Sequence, residues 1–302
     1  MMQEPRQARP VLGVFWMLVT GLLFVGVTAL VKYLGPGIPA PEAAFLRYAI
    51  GFVFLIPLAR PILRTRLTGR HWGLFTLRGL MHAIGVALWF FAMTRIPIAD
   101  VTAMNYLAPI YVTLGAALFL GEKLAARRVI AVIVGLLGAL IILRPGFREV
   151  GPGHLAMLAA ALVFGASYLL AKRLTDETNA AIVVGMLSLW VTVGLAPMAL
   201  VVWVPPTLDA LVILTLVALL ATAGHYTMTL AFAAAPVTVT QPVSFLQLVW
   251  AVALGALFFD EGVDLWVVIG GLVILSSVTF ITWREAVLKR RPVTPPAPAT
   301  KV

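Results

Sequence analysis

Residues Pro97–Glu122 read PIADVTAMNYLAPIYVTLGAALFLGE, and 139 positions later Pro236–Glu261 read PVTVTQPVSFLQLVWAVALGALFFDE. Each stretch opens on a proline, runs through mostly apolar residues and stops at a glutamate preceded by a small or acidic residue. The same offset pairs Ala92 with Ala231, Leu107 with Leu246 and Phe119 with Phe258. Toward the start of the chain it pairs Gly26 with Gly165, Gly85 with Gly224 and Thr28 with Ser167. One offset held over that range predicts a duplicated half.

Working outward, 62% of the 302 residues are hydrophobic and 11% are charged, against roughly 25% charged in soluble domains. Ten apolar spans fall near 11–34, 42–59, 72–93, 98–119, 127–143, 151–171, 180–203, 209–233, 238–259 and 264–283. Each is long enough to cross a ~30 Å hydrocarbon layer as a helix. Membrane β-barrels alternate polar and apolar residues in ~10-residue strands, and these continuous spans do not. The expected fold class is therefore an all-α integral membrane protein of ten transmembrane helices. Its organisation is a short tail (1–10), two five-helix repeats (11–145 and 146–285) and a proline-rich tail (286–302) expected to be disordered. The first apolar run is too long for a cleaved signal segment and reads as the first span.

There is no cysteine, so nothing points to disulfides or a thiol nucleophile. The net charge of +10 has a plain cause in orientation. The N-terminus, every second connection and the C-terminal end carry sixteen Lys and Arg, from Arg6 and Arg9 to Arg291 and Lys301. The opposite side carries four: Lys32, Arg95, Arg144 and Arg148. This split places both termini in the cytoplasm. Five spans per repeat is an odd number, so the second half enters the membrane from the other side. The two halves form an inverted-topology pair, an arrangement that binds substrate near the midplane and works by alternating access.

Here the chain resembles the drug/metabolite transporter superfamily, in its EamA-type ten-helix branch. Gly121-Glu122-Lys123 and Asp260-Glu261, closing the fourth span of each half, carry the resemblance, with Arg47 in the second span and Gly26 and Gly165 in the first of each half. It covers roughly Val11 to Trp283, and the second half departs from it at Met186, opposite Arg47, and at Asp260, opposite Gly121. The resemblance implies an inner-membrane exporter of small metabolites, and some similar proteins export aromatic amino acids.

Polar groups inside a membrane usually face the bundle interior or a wet cavity. Arg78, His82, Gly85 and Trp89 share one face of the third span, and Thr102, Tyr106, Pro109 and Thr113 one face of the fourth, beside Asn105. The eighth span offers His225 and the ninth Gln241, Ser244, Phe245 and Trp250. The repeat register matches Asn105 with Ser244, Tyr106 with Phe245, and Tyr111 with Trp250. These residues are the candidate substrate-binding set, suited to an aromatic or amphipathic solute through ring contacts and polar anchors. Against this stands the plainer reading that the polar groups bond neighbouring helices and the rings pack or sit at the interface. Arg78 is read either as snorkelling to the cytoplasmic surface or as holding a substrate carboxylate. Arg47 is read as pairing with Glu42 or snorkelling. Glu122 and Glu261 are expected at the positive end of the next helix.

All twelve Asp and Glu lie in tails, connections or span ends. Buried carboxylates commonly carry ion coupling, so facilitated diffusion or exchange is favoured. Histidine, with a reference pKa near ~6.5, leaves proton coupling open. A Walker loop is absent from the sequence, as are a His-Glu-x-x-His pair and a buried acid dyad. ATP drive within the chain, a resident metal and intramembrane catalysis are accordingly not expected, and no cofactor is. The expected partners are a small-molecule solute and membrane lipid, not nucleic acid, and a monomer suffices. The reading is a secondary transporter, exporter or facilitator, with an amino acid, aromatic or otherwise apolar, as solute. A channel or a lipid-moving protein fits the same pattern.

Overall fold

The structure is a computed structural model that describes residues 9–53, 65, 67–120, 126–178, 180–235, 239–240, 243–244 and 246–289. Among them the regular elements are helical: α1 (Pro10–Leu34), α2 (Ala40–Gly51), α3 (Gly69–Met93), α4 (Ile98–Asn105), α5 (Ala108–Leu120), α6 (Ala126–Leu143), α7 (Pro152–Glu177), α8 (Ala180–Val201), α9 (Leu208–Ala234), α10 (Leu246–Phe258) and α11 (Leu265–Lys289). Proline in the first turn starts α1, α2 and α7, where its missing N–H is no loss. Thr68 and His71 cap α3 reciprocally, and the Thr207 hydroxyl accepts the Ala210 N–H at 3.2 Å to start α9. α1 ends where Gly35 turns to φ +67°, a conformation that favours glycine.

Among the described residues seven helices are long and apolar enough to cross a membrane: Pro10–Gly37 with its closing 3-10 turn, Gly69–Met93, Ala126–Leu143, Pro152–Ala171, Ile182–Val201, Leu208–Met228 and Leu265–Arg284. They correspond to seven of the ten predicted spans. The second span is described only as α2, with 54–64 outside the described residues. The fourth is not the single helix that its hydropathy predicts. It breaks at Tyr106–Leu107 into α4 and α5, because Pro109 cannot donate to the carbonyl four residues back and its ring crowds that turn. In the ninth span Ser244 likewise forms a turn just before α10. The predicted tails fall outside the described residues but for Arg9, Pro10 and the last turn of α11.

The halves pack by exchanging partners. α1 lies antiparallel on α9: the Thr20 and Thr227 hydroxyls meet at 2.9 Å, and a Cβ added to Gly224 would stand 3.3 Å from the Phe24 ring. α3 lies antiparallel on α7: His82 Nδ1 meets Ser167 Oγ at 3.2 Å, and a Cβ added to Gly85 would stand 2.8 Å from the Phe164 ring. The repeat offset carries α1 onto α7 and α3 onto α9, so one contact is made twice with the roles reversed. α6 and α11, counterparts of each other, also cross antiparallel, with the Ser277 hydroxyl bonded to the Ala131 carbonyl. At their crossing a Cβ on Gly138 would lie 2.8 Å from the Gly270 oxygen, and one on Gly270 2.6 Å from the Gly138 oxygen. Such backbone approach is how helices associate where lipid removes the hydrophobic drive. Reciprocal, self-complementary contacts of this kind are those of a two-fold relation. Outward, Ile130, Leu162, Val193 and Leu216 are exposed, as hydrocarbon-facing residues must be.

Candidate functional site

At one end of the bundle, charges bind the halves together. Lys32, in the last turn of α1, stands 2.6 Å from Glu261 Oε1 and donates to the Ile96 carbonyl at 2.8 Å. The other Glu261 oxygen accepts the Ile98 N–H at 2.9 Å. Glu261 therefore caps α4 of the opposite half, not the start of the next helix as expected, because α10 packs against α4. The preceding Asp260 has φ +52°. Position 260 thus calls for a residue that tolerates the left-handed region, as aspartate and glycine do, which accounts for its departure from Gly121. Asp100, wholly buried in the first turn of α4, pairs with Arg148 and with His154 at 3.0 Å. Arg144, held at φ +40°, pairs with Asp264, which also caps α11 through the Trp266 N–H at 2.9 Å. A cleft of about 420 Å³ lies among Asp100, Phe147, Arg148, Glu261 and Asp264. Three of the four cations assigned to the sparse side are thus spent on ion pairs. The fourth, Arg95, lies over the Phe91 ring at 3.6 Å.

Among the described residues the other end is tied more loosely. Glu177, at the end of α7, accepts from both Arg70 nitrogens at 3.0 and 3.1 Å and meets His71 Nε2 at 3.1 Å. The Arg70 hydrogen bonds, with help from His71, hold the Glu177 carboxyl below the usual carboxylate range. Arg70 is 54% exposed, and ion pairs this wet contribute little.

Between the ends, α3 turns its predicted face inward. Arg78 and His82 are both buried. Arg78 does not snorkel: its Nη1 donates to the Val183 carbonyl of α8 at 2.9 Å, and its Nε meets no acceptor among the described residues. The His82 ring lies 4.8 Å from Phe164 and 6.1 Å from Tyr168, and Trp89 packs edge-on to Phe164 at 6.4 Å. The Trp89 indole N–H is buried without an acceptor among the described residues. Tyr168, stacked on Phe164 with ring centroids 6.2 Å apart, is 44% exposed. His225, also exposed, lies edge-on to Phe24 at 5.1 Å. Arg47 does not pair with Glu42; its guanidinium lies 3.9 Å over the Tyr48 ring, within electrostatic reach of His82 and His225. Glu42 instead accepts the Val204 N–H at 2.9 Å.

The two helix breaks meet. The Tyr106 hydroxyl donates to the Ser244 carbonyl at 2.9 Å, so Tyr106 serves the crossing and is buried there. Asn105 is half-buried at the same break, and Tyr111 packs its Cβ on Gly165 of α7. Trp250 lies farther along α10, at the edge of exposure. Gln241 and Phe245 lie outside the described residues, as do Gly121-Glu122-Lys123. Among the described residues no group of His, Asp and Glu is placed to hold a metal. Phe164, Tyr168 and Tyr48 escaped the sequence reading, since nothing local distinguishes an inward ring from a lipid-facing one. Ser167 was signalled only as the partner of Thr28.

The EamA-like transporter family profile matches residues 11–144 and again 151–283. A riboflavin transporter of Rhizobium johnstonii is 32% identical over 94% of this chain and 95% of its own, and one of Vibrio cholerae 30% identical over 93% and 96%. An S-adenosylmethionine uptake transporter of Rickettsia prowazekii is 24% identical over 90% and 93%. A solved crystal structure covering 93% of this chain and 98% of its own superposes with a TM-score of 0.59 at 18% identity, a likeness of fold alone.

Proposed function

The chain belongs to the EamA-like transporter family, and from that premise we propose that it carries a small aromatic or otherwise apolar metabolite by alternating access through the interior between its two repeats. Like its named relatives it is a secondary transporter of small metabolites rather than an enzyme, and a multi-pass protein of a bacterial inner membrane. The proposed membrane arrangement is ten spans with both termini cytoplasmic and the repeats inverted. The antiparallel crossing of the counterpart helices α6 and α11 supports it: a two-fold axis along the membrane normal would leave them parallel. The domain limits proposed are 11–145 and 146–285.

One observation carries the mechanism. Half-buried ion pairs join the halves at the Glu261 end, whereas among the described residues the opposite end has the exposed Arg70–Glu177 pair. With the Glu261 end external, this is a conformation shut toward the outside. The proposed site is Arg78, His82 and Trp89 on α3 with His225 on α9, flanked by Asn105, Tyr106, Tyr111 and Trp250 and by Gln241 and Phe245 of the ninth span. Its proposed solute is an amino acid with an aromatic or apolar side chain. Relatives named for riboflavin and S-adenosylmethionine point to ring-bearing solutes of larger size as the other members of the class to test. The experiment is counterflow in liposomes of purified protein loaded with candidate amino acids, riboflavin or S-adenosylmethionine. Saturable exchange is expected for a ring-bearing solute; a flux that never saturates would replace the carrier by a channel.

A further inference from the structure

Among the described residues the interior holds two arginines and no carboxylate to meet them. Arg47 and Arg78 are only 8% and 5% exposed, and neither makes an ion pair among the described residues. The acids nearest in sequence are engaged elsewhere: Glu42 with the Val204 N–H, Asp100 with Arg148 and His154. Among the described residues Arg47 meets the face of the Tyr48 ring, and Arg78 a single carbonyl, its Nε unmet. Farther along the α3 face, the Trp89 N–H is a further buried donor with no acceptor. A guanidinium cannot shed its proton to escape this setting. Isolated charges inside a bilayer-spanning bundle are expensive, and they persist where they serve a pathway or a ligand.

Both cations lie well inside the bundle, on α2 and α3, which pack against each other. Arg78 is nine residues into α3, about 14 Å along the helix, and Arg47 is seven residues into α2, entering from the opposite end. His82, buried against Ser167, Phe164 and Tyr168, lies within reach of both charges. The lining thus pairs unmet donors and positive charge with stacked rings, and it offers no counter-charge for an ammonium group.

We propose that Arg47 and Arg78 form an oxyanion subsite, so that the transported solute is a net anion: a ring-bearing or apolar carboxylate or phosphate monoester. This rests on the carrier reading above but replaces the amino acid proposed there as solute, since among the described residues nothing is placed to receive a zwitterion's ammonium group.

The test is isothermal titration of the purified full chain with four probes of closely matched skeleton: 3-phenylpropionate, phenethyl phosphate, 3-phenylpropionamide and phenethylamine. At least one anion is expected to bind about tenfold to a hundredfold more tightly than the amide, the range for charge-assisted hydrogen bonds, with the amine weakest. The better of the two anions distinguishes carboxylate from phosphate. Arg47→Gln and Arg78→Gln are each expected to remove most of that preference, while Arg47→Lys keeps part of it. Arg78 also holds the Val183 carbonyl, so each variant is checked by its thermal transition; if Arg78→Gln does not fold, Arg47→Gln decides. Binding of the amide or amine as tight as that of both anions, no binding of either anion, or an anion preference unchanged in Arg47→Gln overturns the proposal. Saturable counterflow of a neutral solute by the unmodified protein would leave the carrier standing while removing the subsite. Only the absence of exchange for every solute removes both.

Discussion

Asp100→Asn is the sharpest test of the clasp at the Glu261 end. Asp100 is wholly buried, and it meets both Arg148 and His154. Removing one member of a buried ion pair costs about 3–5 kcal/mol. The amide keeps the shape and some hydrogen bonding, and Arg148, 19% exposed, can turn to Asp264, already 3.6 Å away. Those discounts leave about 2 kcal/mol. If the ion pairs exist only while this end is shut, that energy is lost from the shut state alone, and the open population rises about thirtyfold. The chain has no cysteine, so Ala99→Cys, in the lining of the cleft, provides a sole thiol for a membrane-impermeant maleimide applied to intact cells. Labelling is expected to quicken by an order of magnitude or more when Asp100→Asn is added. An unchanged rate, in protein that reaches the membrane in normal amount, would refute the clasp. Labelling that requires broken cells would refute the assignment of this end to the outside.

Gly138→Ala places a methyl 2.8 Å from the Gly270 oxygen, and overpacking of that kind costs about 1–3 kcal/mol; the melting temperature in detergent should fall, and an unchanged value would mean that α6 and α11 do not meet so closely. Tyr106→Phe removes the bond to the Ser244 carbonyl and should cost about 1 kcal/mol, lowering exchange in liposomes, with Tyr106→Ala and His82→Ala lowering it further while insertion stays normal. Glu177, held below its ordinary range by Arg70, binds its proton more readily in the unfolded chain. Its pair therefore contributes fully above the ordinary carboxylate range near ~4.3 and is lost as pH falls through the depressed folded value. Glu177→Gln should accordingly lower the neutral plateau of a melting-temperature profile slightly, this pair being exposed, and leave its most acid end unmoved, so that the acid limb flattens.

Membrane insertion, the duplicated half and the family were legible in the residues. Hydropathy is a local sum over a window, and a shared offset needs no coordinates. The inward face of α3 was legible too, because Arg78, His82, Gly85 and Trp89 recur at helical spacing. Contact between elements was not. Whether Arg78 reaches the surface or Val183, and whether Glu261 caps its own helix or the one across the repeat boundary, depends on packing of segments 105 and 163 positions apart in the chain. Pro109 announces a break, but only the crossing reveals that Tyr106 spends its hydroxyl on Ser244 of the matching break. Sequence by itself determined what must lie in lipid and that two similar halves share the work. The tertiary structure alone decided which charges are met and which are not, because a charge is paired or stranded by neighbours that the chain brings from far away.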